Sequence, residues 1–284
     1  MRHFRMRTRL FLITACTILI PLSILSFLAY RISSRAVLDA FVNNQIGTMK
    51  KVGSSTDSVF SDIEKTSLLV ITNADMRSFL LEDPTVESRW NAYSLLAYLK
   101  NSSPAISSLH LAGTDDQLLT LGDNSAVIFA QDRQLADAFN GASFWARDTA
   151  SREQQIYMCR LIRDVQFPAE HLGYLKIYVD MQVLSRQLYP DNNRTASYYL
   201  LDTNGCVLYA SDLNFAPDLP EFDTLRQYEL RCHIDPSSRR SISVYPLSSA
   251  DMLLVGVSTL ETLEQQNFAN GLLYISVALC SFLF

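Results

Sequence analysis

Residues Leu10 to Tyr30 read LFLITACTILIPLSILSFLAY, a run without a single charged side chain. As a helix rising ~1.5 Å per residue it reaches roughly 31 Å, matching the ~30 Å hydrocarbon core of a bilayer. Pro21 would break a helix in water, but in lipid neighbouring groups re-satisfy the carbonyl it frees. Arg2, Arg5, Arg7 and Arg9 precede the run, against Arg31 and Arg35 after it. Basic residues beside a membrane helix stay cytoplasmic, so residues 1–9 are expected inside and residues 31–267 outside the plasma membrane. A cleaved signal peptide would have a shorter apolar stretch, about 7–15 residues, followed by a small-x-small site that is missing here. The run is therefore expected to be a retained anchor.

A second uncharged stretch, Gly271 to Phe284, reads GLLYISVALCSFLF. It covers only about 21 Å as a helix, and residues 268–284 are expected to be the start of a second membrane helix in a receptor fragment. Between the two stretches the chain is acidic. Setting the four N-terminal arginines aside takes the formal charge from −5 to −9, a poor match to nucleic acid, whose phosphates are met by Lys and Arg. The chemistry of catalysis is missing too. There is no glycine-rich nucleotide loop, and His3, His110, His171 and His233 lack the setting of a phosphoacceptor. No catalytic residue, metal site or cofactor is expected. Cys16, Cys159, Cys206, Cys232 and Cys280 show no metal-ligand spacing and read as small buried hydrophobes or free thiols, with one disulfide among the central three left open. Asp115-Asp116 reads as a solvated turn, and Asn193-Arg194-Thr195 as a polar loop.

From Arg31 to Val70 apolar residues recur at Leu38, Val42, Ile46, Met49, Val52, Phe60, Ile63 and Val70, mostly three or four apart. That is the period of a long amphipathic helix continuing out of the membrane. A second helix is expected from Asp83-Pro84 to near Pro104. Strands are expected over 106–111, 118–121, 126–130, 155–162 and 171–179, with short helices over 135–139 and 181–188. A second sheet unit is expected over 198–201, 207–210, 241–245 and 252–257. Its Asn204-Gly205 pair is expected to form a two-residue hairpin turn, with both positions at positive φ. A helix over 259–270 would lead into the second membrane stretch. The fold class expected is α+β: a membrane-continuous helix with two PAS-like α/β sheet units, the first over about 71–190 and the second over about 191–258, between membrane helices.

Several motifs, taken in order, resemble one family. They are Ile20-Pro21, Phe144-Trp145-Ala146-Arg147 before a strand, Arg160-Leu161-Ile162-Arg163-Asp164, Leu172-Gly173-Tyr174-Leu175-Lys176-Ile177, the LDTNGCVLY hairpin from Leu201 to Tyr209, and LLVGVSTLETL from Leu253 to Leu263. The chain resembles the double Cache sensing region of YesM-type sensor histidine kinases. Regulators of the AraC class and chemoreceptors carry similar front ends. The resemblance implies a homodimeric receptor binding a small molecule (a sugar, organic acid or peptide) in the membrane-distal unit, between sheet and flanking helix. On this chain that maps to Trp145, Tyr157 and Arg160, with Arg89, Trp90 and Tyr93 behind them. Amino-acid-binding members have an Arg two positions before the tryptophan; Ser143 stands there instead, which argues against a simple α-amino-acid ligand.

Overall fold

The computed structural model describes residues 6–81, 85–114, 117–122, 130–149, 154–164, 167, 170–190, 196–212, 219–235, 237–260 and 276. The expectations for 83–84, 115–116, 126–129, 193–195, 261–270 and nearly all of 271–284 fall outside them. The chain divides into two compact units: Met1–Gly47 with Ile234–Ser241 and Ser258–Phe284, and Thr48–His233 with Ile242–Val257.

Helix α1 covers Met6–Thr72 with Pro21 inside it. Among the described residues no helix is long and apolar enough to cross a membrane. The side chains of residues 6–12, 15, 18 and 19, within and beside the uncharged run, are outside that description. In the first unit Ser258 Oγ lies 3.5 Å from Gln45 Oε1, and the Leu260 amide donates to the Arg239 carbonyl.

In the second unit α1 becomes a core helix. Met49, Val52, Val59, Phe60, Ile63 and Val70 are buried along one stripe. The helical pattern breaks at Asn73, whose Oδ1 accepts from the amides of Asp75 and Met76 and starts helix α2 (Ala74–Leu81), an element outside the sequence expectations, which end the long helix near Val70. Helix α3 runs Val86–Ser102. Thr85 caps it by accepting from the Ser88 amide at 3.1 Å, two positions after the expected Asp83 cap.

Strands β1 (Ile106–Gly113) and β2 (Leu118–Leu121) come next, then helix α4 (Ala130–Ala138), β3 (Ser143–Asp148), β4 (Gln155–Arg163), β5 (His171–Val179) and helix α5 (Met181–Leu188). Two expectations change. Ala130 opens a helix rather than ending a strand, and Phe144–Arg147 lies within an edge strand rather than before one. The strands form one antiparallel sheet in the order β2-β1-β5-β4-β3. The chain then repeats itself: β6 (Ala196–Leu201), β7 (Val207–Ala210), helix α6 (Phe222–Gln227), β8 (Cys232–Asp235), β9 (Arg240–Leu247) and β10 (Met252–Thr259) give a second sheet ordered β7-β6-β10-β9-β8. Strand for strand the two orders are the same. β8 was not foreseen, and Thr259 ends a strand rather than starting a helix.

The β6–β7 turn also differs from expectation. Only Gly205 has positive φ, at 81°. The Gly205 amide donates to the Asp202 carbonyl, and Asp202 Oδ1 accepts from the amides of Asn204 and Cys206. The Asp202 side chain thus replaces one left-handed residue, and the register shifts between Leu200 and Leu201. At the other end of the loop network, the Gln154 amide group accepts from the Ala210 backbone N–H at 2.8 Å and donates to its carbonyl at 3.2 Å. That pair covers exposed ladder groups of edge strand β7. Cys206 and Cys232 adjoin opposite edge strands of the second sheet, roughly 19 Å apart at ~4.8 Å per strand, far beyond disulfide reach. None of Cys16, Cys159, Cys206 and Cys232 is in a disulfide.

Candidate functional site

Each sheet has two faces. Against one face of the first sheet, α1, α2 and α3 supply Phe60, Ile63, Phe79 and Leu96, which join Leu109, Met158, Leu175 and Ile177 in an apolar core. The second sheet contributes Leu200 and Leu254 to the same core beside Met49 and Val52. The opposite faces are where the two sheets part company. On the second sheet the α6 side is hydrocarbon and ring: Tyr199, Leu201, Leu225, Val244 and Val255. On the first sheet the α4 side carries buried ionic and hydrogen-bonding groups.

Strand alternation builds that face. β1 contributes Ser108 and His110, β4 contributes Tyr157 and Cys159, and β5 contributes Tyr174, Lys176 and Tyr178. Register places Thr120, His110, Lys176, Cys159 and Phe144 in one row across the sheet, and Ser108, Tyr178, Tyr157 and Ala146 in the next. Above these rows α4 lowers Asp132, which is 3% exposed. One of its oxygens accepts from the Tyr157 hydroxyl at 2.6 Å and the other from Lys176 Nζ at 2.7 Å. The ammonium also sits 3.7 Å from the centre of the Tyr157 ring and 5.2 Å from that of Tyr178. The Tyr178 hydroxyl donates to Asp148 at 2.9 Å. His110, fully buried, bonds Ser108 Oγ at 3.1 Å and Thr120 Oγ1 at 3.4 Å. At the far end of α4, Asp137 accepts from the Tyr174 hydroxyl at 3.1 Å.

These surroundings fix the protonation states. Burial, aided by the Lys176 charge, pushes His110 down to about 4, so it is neutral near pH 7. Burial raises Tyr157 and then its bond to Asp132 raises it further; burial and the bond to Asp148 do the same for Tyr178. Burial and the Asp132 charge push the Cys159 thiol up to about 12. The face thus holds one buried cation, one buried anion and a set of neutral donors. Among the described residues no group of three or more His, Cys, Asp or Glu side chains is placed to hold a metal ion.

The six residues singled out from sequence are in three places. Tyr157 lies in the polar cluster. Trp145 and Arg160 lie on the opposite face, against α1. Trp145 packs edge-on against Phe60, ring centres 4.7 Å apart, and its buried indole N–H has no hydrogen-bond partner. Arg160 donates to Ser67 Oγ at 2.8 Å and to Glu64 Oε2 at 3.1 Å, while Ser143 donates to the other Glu64 oxygen. Arg89, Trp90 and Tyr93 are on the exposed side of α3, where the Trp90 and Tyr93 rings stack 6.3 Å apart and Trp90 is 66% exposed. Asp132, Lys176, His110 and Tyr178 were missed. The signal for three of them was in the sequence: polar and phenolic residues at every second position of otherwise apolar strands.

No family model matches the sequence, and no curated protein does. Solved structures do. The ligand-binding domain of the Campylobacter jejuni chemoreceptor Tlp3, in complex with L-valine, superposes with a TM-score of 0.55 at 13% identity over 82% of this chain and 98% of that one. The extracellular domain of the candidate histidine kinase vpHK1S-Z8 gives 0.57 at 13% over 81% and 98%. The sensor domain of the V. cholerae histidine kinase DctB gives 0.51 at 14% over 78% and 98%. The chain therefore has the two-sheet α+β fold of sensor domains from chemoreceptors and histidine kinases, consistent with the Cache resemblance.

Proposed function

We propose that this chain is the ligand-sensing and signal-transducing part of a bacterial membrane receptor, acting by binding rather than catalysis, with the α4 side of the first sheet as its ligand site. One contrast carries the reading. Two sheets of the same strand order are each backed by α1 and faced by a short helix, yet among the described residues only the first buries a Lys–Asp pair and a neutral histidine under that helix. The second sheet, whose described α6 side is hydrocarbon and aromatic ring, supports the view that the architecture does not require them. Buried ion pairs gain little stability over hydrocarbon, so their presence points to recognition.

The finer reading is a YesM-type sensor histidine kinase. The uncharged run 10–30 is its membrane helix, the N-terminus is cytoplasmic, residues 31–267 are extracytoplasmic, and the receptor is a homodimer in the lipid bilayer. The basic-before-apolar order and the family motifs support it. Neighbours in both chemoreceptors and histidine kinases support the coarser class equally.

Two experiments test the proposal. The full chain in lipid nanodiscs is screened by thermal shift against sugars, organic acids and peptides. A true ligand loses its effect when Tyr157 is changed to Phe and keeps it when Tyr199 on the second sheet is changed to Phe. A set of hits indifferent to Tyr157, or no hit at all, ends the site assignment. A membrane-impermeant maleimide applied to cells carrying an added cysteine at position 150 tests topology. Labelling only after lysis would place the body on the inner side and end the receptor reading.

A further inference from the structure

Resting on the sensing role above, we propose that Asp132 is a built-in stand-in for the carboxylate of an external ligand. The true ligand is then a small organic acid, which takes Lys176 and Tyr157 from Asp132 and lifts α4 from the sheet.

The argument starts from which partner is fixed. Lys176 and Tyr157 belong to β5 and β4, neighbours within the five-stranded ladder, and the ammonium is held between two tyrosine rings. Asp132 belongs to a nine-residue helix whose attachment to the sheet is thin. Among the described side chains of α4, Ala136 is the one apolar residue in the buried core, while Leu135 is 48% exposed. The other attachments among the described residues include Asp132 to Tyr157 and Lys176, Asp137 to Tyr174 and, at 3.9 Å, to His171, and Arg133 over the Tyr174 ring. A methyl-sized anchor is a weak one, so the polar contacts hold much of the helix in place. If the Lys176–Asp132 pair opens, the cation stays with the sheet and the anion leaves with the helix. What then lies bare is an ammonium, a phenol donor and a neutral histidine, a site for an anion with at least one carboxylate. A ligand amine would have to follow Asp132 away from the tyrosine rings, so the geometry selects acids over amines.

Competition from within also sets the affinity. Apparent affinity falls by the fraction of molecules in the open state. A pair closed about nine-tenths of the time weakens ligand binding about tenfold, and neutralising Asp132 restores it.

The test uses the full chain in nanodiscs, titrated calorimetrically with acetate, lactate and succinate, and with ethylamine and choline as cationic probes. At least one acid should bind the wild type saturably. Asp132→Asn should tighten it tenfold or more, and Lys176→Met should abolish it. Hydrogen exchange on the wild type gives a readout free of variant folding: the acid should speed exchange of the α4 amides. Unchanged or weaker acid binding in D132N, no acid binding in either protein, slower α4 exchange, or a preference for the amines would overturn the proposal. A sugar or peptide lost in Tyr157→Phe yet indifferent to D132N would remove this inference and leave the sensing role standing.

Discussion

Arg160 is one of the side chains through which the first sheet grips α1, and its removal can be worked through quantitatively. The guanidinium is 3.1 Å from Glu64 Oε2, with side-chain exposures of 11% and 17%, and it also donates to Ser67. At an effective dielectric of about 20 the Coulomb attraction is roughly 5 kcal/mol, of which desolvation of both ions cancels a large part. Arg160→Met leaves Glu64 shielded from water with one serine donor and no cation. Breaking such a pair from one side costs about 3 kcal/mol. Glu64→Gln leaves a neutral amide that still accepts from Ser143, and should cost about 1–2 kcal/mol. The double variant removes the stranded charge, so its loss should fall short of the sum of the single losses by about 2 kcal/mol. Urea denaturation of the four proteins in the same detergent, followed by circular dichroism, gives the cycle. A coupling energy below about 0.5 kcal/mol would show that the ion pair is not what joins β4 to α1.

Three further outcomes are expected. Gly173→Ala places a Cβ 2.2 Å from the Ala112 carbonyl oxygen on the neighbouring strand, a backbone atom that cannot swing aside; parting β1 from β5 should cost about 2–4 kcal/mol, read as a fall in melting temperature. His110 has a folded-state value near 4 against about 6.5 unfolded, so the unfolded chain takes up its proton first. Its contribution is therefore whole above about pH 6.5 and lost as pH falls toward 4, by roughly 3 kcal/mol, and His110→Gln should flatten that part of the stability–pH curve. Cys159, buried and pushed up to about 12, should resist iodoacetamide at pH 8 in the folded protein while exposed Cys206 is alkylated, as peptide mass spectrometry can show.

The fold was largely legible where burial imposes a period. β4, β5 and β10 are nearly continuous apolar runs, and α1 keeps its three-and-four spacing across the second unit. The elements missed are those that burial marks weakly. β8 is a four-residue edge strand with no buried residue, and β3 alternates Phe144 and Trp145 to opposite faces, so its pattern is short and broken by Arg147. The turn at Asn204 was misjudged because the side chain of Asp202 does work assigned to the backbone. In the proposed site, family position points to Trp145, Tyr157 and Arg160 together, and the structure divides them between two faces because a one-residue step along a strand changes the face. Strand parity alone puts Tyr157 with Lys176 and sends Arg160 to α1.

That parity has a mechanical consequence for a sensor. Tyr157 and Arg160 are three residues apart on β4, and because three is odd they point to opposite sides of one strand. The Tyr157 hydroxyl is bonded to the α4 carboxylate, and the Arg160 guanidinium is bonded to Glu64 and Ser67 of α1. On the proposed sensing role, a shift of β4 on ligand binding would be applied to α1 through a charged contact rather than through compliant hydrocarbon. Ser143 and Arg160 divide the two oxygens of the same Glu64, so β3 and β4 both hold this one carboxylate of α1. On the proposed sensing role, Glu64→Gln should therefore leave ligand affinity at the first sheet within about twofold while uncoupling the response of α1. Ligand-dependent crosslinking of cysteines placed along residues 40–60 would read that response, and a full ligand-dependent crosslinking pattern in E64Q would show that the signal takes another route.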